Sequence, residues 1–210
     1  QVLAAARPVV LFVDTFNGHL ESENAIAAVR VLQAAGYAVH AARSVQGGKL
    51  CCGRTYLAAG MADEAKARAR QLVAALLPLA QRGIAIVGLE PSCLLTLRDE
   101  MLAMGLGADA QAVAGQALML EEFLAREARA GRFQPALRPA RRQILVHGHC
   151  HQKAFDTVPA LLEVLRLIPG AKPTLIESSC CGMAGSFGYE AAHHAVSMQM
   201  AELSLLPAVR

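Results

Sequence analysis

Short runs of apolar residues alternate along the chain with longer amphipathic stretches that repeat with helical spacing. The short runs predict buried strands at 9–13, 37–42, 84–89 and 144–146, and another just before Ser178. The longer stretches predict helices at 22–35, 63–77, 93–104, 117–130 and 191–205, with Ser92 as N-cap of the third. Strands that alternate with helices predict an α/β fold of parallel sheets joined by right-handed crossovers.

The second half of the chain repeats the order of the first. When Leu11-Phe12-Val13 is aligned with Ile144-Leu145-Val146 without a gap, Asn17 falls opposite Cys150, and both halves then run to Cys-Cys-Gly. This repetition predicts two pseudo-symmetric Rossmann-like βα units, each with a parallel sheet flanked by helices. We expect the first unit at 1–131, a proline-containing linker at 132–142 and the second unit at 143–210.

Six cysteines lie near the ends of predicted strands in the two halves. Two pairs are adjacent in sequence, and adjacent cysteines rarely bridge each other because the ring is strained. In a chain of this size with no visible secretory signal, clustered cysteines indicate metal binding or catalysis. Thiolates are ligands of soft metals and of iron–sulfur clusters. The candidate ligands are Cys51, Cys52 and Cys93 in the first unit, and Cys150, Cys180 and Cys181 in the second.

Histidines and glycines around these cysteines leave alternatives open. His149 and His151 flank Cys150 and are candidate zinc ligands together with cysteines, whereas His147 is expected to form ordinary hydrogen bonds. The glycine-rich stretch 182–188 lacks the lysine of a P-loop and the spacing of a dinucleotide motif. We interpret it as room for a cofactor or for close backbone packing, and we assign no catalytic residue.

Composition narrows the class of protein. Hydrophobic residues make up 54% of the chain and charged residues 18%, which is typical of a core-rich globular protein. The net charge is +3 and the basic residues are scattered, so nucleic-acid binding is not expected. The apolar runs are too short to span a bilayer.

The two ends of the sequence suggest a piece of a longer polypeptide. Residue 1 is Gln, not Met. Cys93 follows Cys52 at a distance that, repeated after Cys181, would fall beyond Arg210. We therefore expect a further strand and the fourth ligand of the second unit outside this sequence.

Four cysteine motifs carry a resemblance to a known family. They are Leu50-Cys51-Cys52-Gly53, Glu90-Pro91-Ser92-Cys93, His149-Cys150-His151 and Ser179-Cys180-Cys181-Gly182. The sequence resembles the cysteine-rich "CCG" domain family, found in heterodisulfide reductase and in the iron–sulfur subunit of glycolate oxidase. It is most similar to the C-terminal region of fused FAD-linked D-lactate or D-2-hydroxyglutarate dehydrogenases.

The resemblance implies a function as well as a fold. The parent would oxidise a 2-hydroxy acid at FAD on another domain and pass electrons through [4Fe–4S] centres to a quinone or similar acceptor. Partners would be FAD-binding and ferredoxin-like domains or subunits. The location would be cytoplasmic, or peripheral at the inner face of the membrane through the parent enzyme. Many members carry a cysteine where this chain has Asn17, or Thr15 or Phe16.

Three hypotheses follow, in order of preference. The first is an iron–sulfur electron-transfer module of an FAD-linked 2-hydroxyacid dehydrogenase, not catalytic by itself. The second is a zinc-binding structural module that docks the other domains. The third is a thiol–disulfide reductase acting through Cys51 and Cys52 or through Cys180 and Cys181.

Overall fold

Every strand pair of the described residues, 6–44 and 48–210, is parallel in this computed structural model. Gln1 lies outside the described residues. Helices flank the sheets, so the predicted α/β class is confirmed. The strands are β1 Arg7–Phe12, β2 Tyr37–Ala41, β3 Ile86–Gly88, β4 Ala117–Met119, β5 Gln143–Val146 and β6 Lys172–Leu175.

The helices of the described residues vary from single turns to five turns. They are α1 Thr15–His19, α2 Ser22–Ala34, α3 Arg54–Ala58, α4 Ala62–Ala80, α5 Pro91–Thr96, α6 Glu100–Ala103, α7 Gly107–Gln116, α8 Leu120–Arg129, α9 Cys150–Ala154, α10 Val158–Arg166, α11 His194–Glu202 and α12 Leu205–Val209. Short 3₁₀ turns at Phe187–Tyr189 and Ala191–His193 precede α11. In this part of the chain no helix is both long and apolar enough to cross a membrane.

The chain divides into two compact units between Pro135 and Ala136, which falls inside the stretch 132–142. In the first unit the strand order is β2-β1-β3-β4. The central strand β1 is buried from Val9 to Phe12 because neighbouring strands and helices cover it on all sides. The chain leaves β1 towards β2 on one side and returns to β3 on the other. The carboxyl ends of β1 and β3 therefore border a topological switch point, where open α/β sheets bind ligands.

The second unit has a smaller sheet. Strands β5 and β6 pair in parallel, with Gln143 opposite Lys172 and Val146 opposite Leu175. Helix α10 is amphipathic and packs on β6 through its buried face, which includes Val158 and Ala160.

Three predicted helices differ from the structure. The residues 117–119, predicted as helical, form strand β4, because Ala117 pairs with Ile86 although Ala, Leu and Met favour helices. The helix predicted at 93–104 is split into α5 and α6, since Asp99 has a non-helical backbone. Its N-cap is Glu90, not Ser92, and the Glu90 carboxylate accepts from the Cys93 N–H at 2.6 Å. The helix predicted at 191–205 is likewise broken into a 3₁₀ turn, α11 and α12.

A buried carboxylate joins the amino ends of β1 and β2 to α8. Glu127 is 4% exposed and accepts hydrogen bonds from the Tyr37 hydroxyl at 2.7 Å and from Arg132 Nε at 2.8 Å. Arg7 at the start of β1 also bonds to Glu127, at 3.2 Å. The Arg132 bond, despite the opposing effect of burial, lowers the pKa of Glu127 to about 2. This carboxylate therefore stays ionised while it ties together three elements.

Candidate cysteine-rich site

Helix α1 begins directly beyond the carboxyl end of β1. Its N-cap Asp14 is buried and its Oδ1 accepts from the backbone N–H groups of Phe16 at 2.9 Å and Asn17 at 3.0 Å. The Asn17 side chain donates to Asp14 Oδ2 at 2.7 Å. The Asn17 side chain therefore supports the N-cap residue Asp14. Thr15, the first residue of the helix, is exposed.

The pair Cys51-Cys52 is held by a tight turn at Gly53. Gly53 has a φ of 88° and its N–H donates to Cys51 Sγ at 3.4 Å. The next N–H, of Arg54, donates to Cys52 Sγ at 3.4 Å. A Cβ at position 53 would lie 2.8 Å from the carbonyl oxygen of Ala65. Glycine is thus required twice here, by the left-handed backbone and by the close approach of α4.

The structure brings the three first-unit cysteines together. Cys51 is hydrogen-bonded to Cys52, and Cys52 to Cys93, while the Thr15 hydroxyl hydrogen-bonds to Cys51. Cys93 comes from α5, after β3, so the site lies at the switch point of the sheet. The three sulfur atoms thus form a continuous row of potential metal ligands.

These thiols are held protonated in the absence of a metal. The hydrogen bond with Cys52, together with burial, raises the pKa of Cys51. The pKa of Cys52 is raised to about 12: its bond with Cys51 lowers it, but the bond with Cys93 and burial outweigh that effect. Any metal ion that binds must therefore displace these protons, so its affinity will rise with pH.

In the second unit, helix α9 begins at Cys150 with His149 as its N-cap. His149 Nδ1 accepts from the His151 N–H at 3.1 Å, and Gln152 Oε1 accepts from the His149 N–H at 3.0 Å. The rings of His149 and His151 stack with centroids 5.2 Å apart. His147 Nδ1 lies 2.6 Å from Ser178 Oγ, an ordinary hydrogen bond between the two strand ends.

The second Cys-Cys-Gly forms the same turn as the first. Gly182 has a φ of 86° and its N–H donates to Cys180 Sγ at 3.3 Å. A Cβ at this position would lie 2.2 Å from the carbonyl oxygen of Ser197. Helix α11 therefore approaches this turn as α4 approaches the first one.

Cys150, Cys180 and Cys181 are also neighbours. Burial has the largest effect on the pKa of Cys150 and raises it, and the neighbouring thiols of Cys180 and Cys181 raise it further. The charge of Lys153 lowers it. Lys153 lies on α9 and its Nζ donates to the carbonyl oxygens of Ser178 and, at 3.1 Å, Ser179. Lys153 fixes the loop that carries the cysteines and supplies a positive charge next to them.

A cavity of about 380 Å³ opens beside this loop. Its lining includes Lys153 and Ser178 together with apolar side chains of α10 such as Val158 and Leu162. The cavity borders the loop that leads into the second pair of cysteines.

Thiols in contact with each other do not point at one common centre. Among residues 6–44 and 48–210, no three Cys, His, Asp or Glu side chains are arranged as ligands of one metal ion. Side-chain rotation about the Cα–Cβ bond redirects a cysteine sulfur, and deprotonation removes the hydrogen that links each pair. Sulfurs already grouped in threes fit the chemistry of a thiolate-bound metal or cluster.

Several residues of the site were not expected from the sequence. Lys153 was missed, although it follows Cys150 by one helical turn. Glu90 was expected as part of a cysteine motif but not as the helix cap that holds the Cys93 N–H. The gapless alignment of the halves also needs correction. It pairs Asn17 with Cys150, but the helices α1 and α9 begin at Thr15 and Cys150.

Comparison with protein families agrees with this geometry. A family profile, CCG, described as a cysteine-rich domain, matches residues 14–98. The chain contains a CCG domain. This CCG domain runs from the N-cap of α1 to just past α5 and includes Cys51, Cys52 and Cys93. The resemblance seen in the cysteine motifs is confirmed.

Two kinds of protein similar to this chain are named as a dehydrogenase subunit and a dehydrogenase. One subunit of the anaerobic glycerol-3-phosphate dehydrogenase of Escherichia coli strain K12 is 29% identical over 148 residues, and the strain O157:H7 protein gives the same figures. The match covers 70% of this chain and 37% of that relative. D-2-hydroxyglutarate dehydrogenase of strain K12 is 32% identical over 128 residues, 60% of this chain and 12% of the relative. The matched region thus spans 37% of the length of the glycerol-3-phosphate dehydrogenase subunit and 12% of the length of D-2-hydroxyglutarate dehydrogenase.

Proposed function

We propose that the chain is an electron-transfer module of an oxidoreductase and that its cysteines hold an iron–sulfur cluster. The observation that carries this proposal is the repeated turn, in which a left-handed glycine donates its N–H to the first sulfur of each pair. A further cysteine lies beside each pair. Support also comes from the relatives, which are named as a dehydrogenase and a dehydrogenase subunit.

The residues would serve such a cluster in distinct ways. Cys51, Cys52 and Cys93 are the proposed ligands of the first unit, and Cys150, Cys180 and Cys181 those of the second. An iron–sulfur cluster, when bound, accepts and releases single electrons. Backbone N–H groups donate to Cys51, Cys52 and Cys180, and such bonds stabilise negative charge on sulfur. The charge of Lys153 beside Cys150 acts in the same direction.

The parent enzyme we propose is an FAD-linked 2-hydroxyacid dehydrogenase with [4Fe–4S] centres. Its substrate would be oxidised on an FAD domain, and this module would carry electrons onward, to a ferredoxin-like domain or to a quinone. The names of the relatives support a 2-hydroxyacid or a glycerol phosphate as the substrate of the parent. A cytoplasmic location, with attachment to the inner face of the membrane through the parent, belongs to the same proposal.

A structural zinc site is the second candidate, because histidines flank a ligand cysteine. His149 and His151 lie on either side of Cys150 in the sequence and their rings stack. Histidine and cysteine side chains are therefore both available as zinc ligands. A thiol–disulfide reductase that acts through Cys51 and Cys52 is less well supported. The raised pKa values of Cys51 and Cys52 leave few thiolates at neutral pH, and the thiolate is the attacking species.

The test is the metal content of the full-length protein purified without oxygen. We expect iron and acid-labile sulfide, and an electron paramagnetic resonance signal after reduction. C181S should lose the iron of one cluster, because one ligand of the second unit is gone. S179A is the matched control, since that exposed side chain lies two residues away and its loop contact is made by the backbone.

Two results would contradict the proposal. Stoichiometric zinc without iron would favour the structural zinc module. Equal iron in C181S and in the unaltered protein would exclude the second cysteine group as a cluster site.

A further inference from the structure

The two units begin their first helices at equivalent points of their sheets. In the first unit Leu11 accepts a hydrogen bond from Ala42, the residue that follows β2, at 3.1 Å. In the second unit Val146 accepts from Ile176, the residue that follows β6, at 2.8 Å. Leu11 and Val146 therefore correspond, and a helix begins at the fourth residue after each, at Thr15 and at Cys150.

The helix caps support the same correspondence. Asp14 and His149 both have extended backbones, with ψ angles of 171° and 148°. The side chain of each accepts the N–H of the second helical residue, at 2.9 Å from Phe16 and at 3.1 Å from His151. Cap and strand register thus give one alignment, which differs by two residues from the alignment of the apolar runs.

Side-chain contacts agree with this alignment. The Thr15 hydroxyl bonds to Cys51, the first sulfur of its pair, and Cys150 bonds to Cys180, the first sulfur of the other pair. Asn17 cannot make this contact, because its buried side chain is held by Asp14.

We infer that Thr15 is the first-unit counterpart of the ligand Cys150, and that its hydroxyl positions Cys51 without supplying a thiolate. The inference rests on the cysteine ligation proposed above. The first unit then offers three thiols and one neutral hydroxyl, and the single change T15C would give it a fourth thiolate. A threonine hydroxyl can donate to a sulfur but remains protonated, so it adds no ligand charge.

Cobalt(II) is the probe for this inference, because the intensity of its sulfur-to-metal charge-transfer band reports the number of bound thiolates. The full chain would carry C150S, C180S and C181S, so that only first-unit cysteines remain. T15C in this background should raise the band per bound cobalt by about one third, from three thiolates to four. T15V should weaken cobalt binding, because the hydroxyl that positions Cys51 is lost, but it should not lower the band per bound cobalt, because the hydroxyl contributes no thiolate.

N17C is the matched control, since the apolar-run alignment makes it the counterpart of Cys150. It should not raise the band. A rise in N17C, no rise in T15C, or no charge-transfer band before either change would overturn the inference. Iron analysis of the full-length protein tests the proposed function separately, because an iron-free protein could still show the rise in T15C.

A metal-free measurement tests the same register. Diamide takes two electrons and two protons from a pair of neighbouring thiols and leaves a disulfide. In T15C with the same background, peptide mapping should find the introduced thiol bridged to Cys51. Failure to find this bridge, or its appearance in N17C, would contradict the placement of Thr15.

Discussion

At the scale of single residues, Gly53 and Gly182 decide where the cysteine pairs point. Each combines a positive φ with a backbone carbonyl so close that a methyl group would collide with it. The peptide N–H turned by each glycine reaches the first sulfur of its pair. Backbone strain and thiol orientation are thus fixed by one residue in each unit.

We expect G53A to destabilise the first unit more than G60A does. Both positions have a positive φ, which costs an alanine roughly 1–2 kcal/mol. Only position 53 adds a contact of 2.8 Å with Ala65, whereas nothing lies within 4 Å at Gly60. The overpacking should bring the loss for G53A to roughly 3 kcal/mol or more. Urea unfolding of both variants measures the difference, and equal losses would show that α4 yields to the added methyl group.

The identity of the site residues was predictable from sequence to different degrees. The cysteines were predictable as candidate ligands, because clustered thiols in one chain indicate metal binding or catalysis. The structure places them in two groups of three. Thr15 carries no such signal. Its role appears only when the strands are aligned by backbone hydrogen bonds, because the apolar runs extend to different distances past those bonds in the two units.

At the scale of elements, Glu127 links β1, β2 and α8 through one carboxylate. Its pKa of about 2 lies below the ordinary value of 4.5, so the folded state binds its proton less tightly than the unfolded state does. Its stabilising effect is complete above pH 4.5 and is lost as the pH falls towards 2. We expect a loss of roughly 2–3 kcal/mol across that range, measured by urea unfolding at successive pH values.

The variant E127Q isolates this effect. It keeps the shape of the side chain but removes the charge, so its free energy of unfolding should be lower at pH 7 and flatter between pH 4.5 and 2. Y37F is the milder control, because it removes only the hydroxyl that donates to Glu127. An unaltered pH dependence in E127Q would assign the acid sensitivity to other carboxylates.

Element types followed the apolar pattern where packing and local preference agree. Strand β1 was predicted because a β-branched run is buried on both faces. Strand β4 was not, because three residues with helical preference become a strand only through pairing with β3, a contact made between distant parts of the chain. Helix α7 was missed because its small residues, largely Ala and Gly, give little amphipathic contrast.

At the scale of the whole molecule, the stretch 132–142 contains no helix or strand. Its two ends are tied to different units: Arg132 bonds to Glu127 in the first, and Ala140 donates to Pro169 in the second. The residues between these anchors include the exposed Ala136 and Arg138. An exposed backbone outside regular structure is where proteases cut first.

We therefore expect brief digestion with proteinase K to cut the chain first between Phe133 and Ala140. The products should be two fragments that match the compact units and resist further digestion, as seen by intact-mass measurement over time. Arg82–Gly83, a turn after α4, is an internal comparison, because it is also exposed but closes within one unit. A first cut at that turn would show that the stretch between the units is better protected than its exposure suggests.

The cysteines of the two units differ in access to water: Cys52 and Cys93 are buried, whereas Cys150 is exposed. Neighbouring thiols and burial raise the pKa of both Cys52 and Cys150. The two thiols therefore differ in their exposure to solvent and not in the direction of their pKa shift. We therefore expect dissolved peroxide to oxidise Cys150 before Cys52 and Cys93, along the series from sulfenic to sulfonic acid. Oxidation should therefore proceed in order, with Cys150 of the second unit oxidised while the buried thiols Cys52 and Cys93 of the first unit are still reduced.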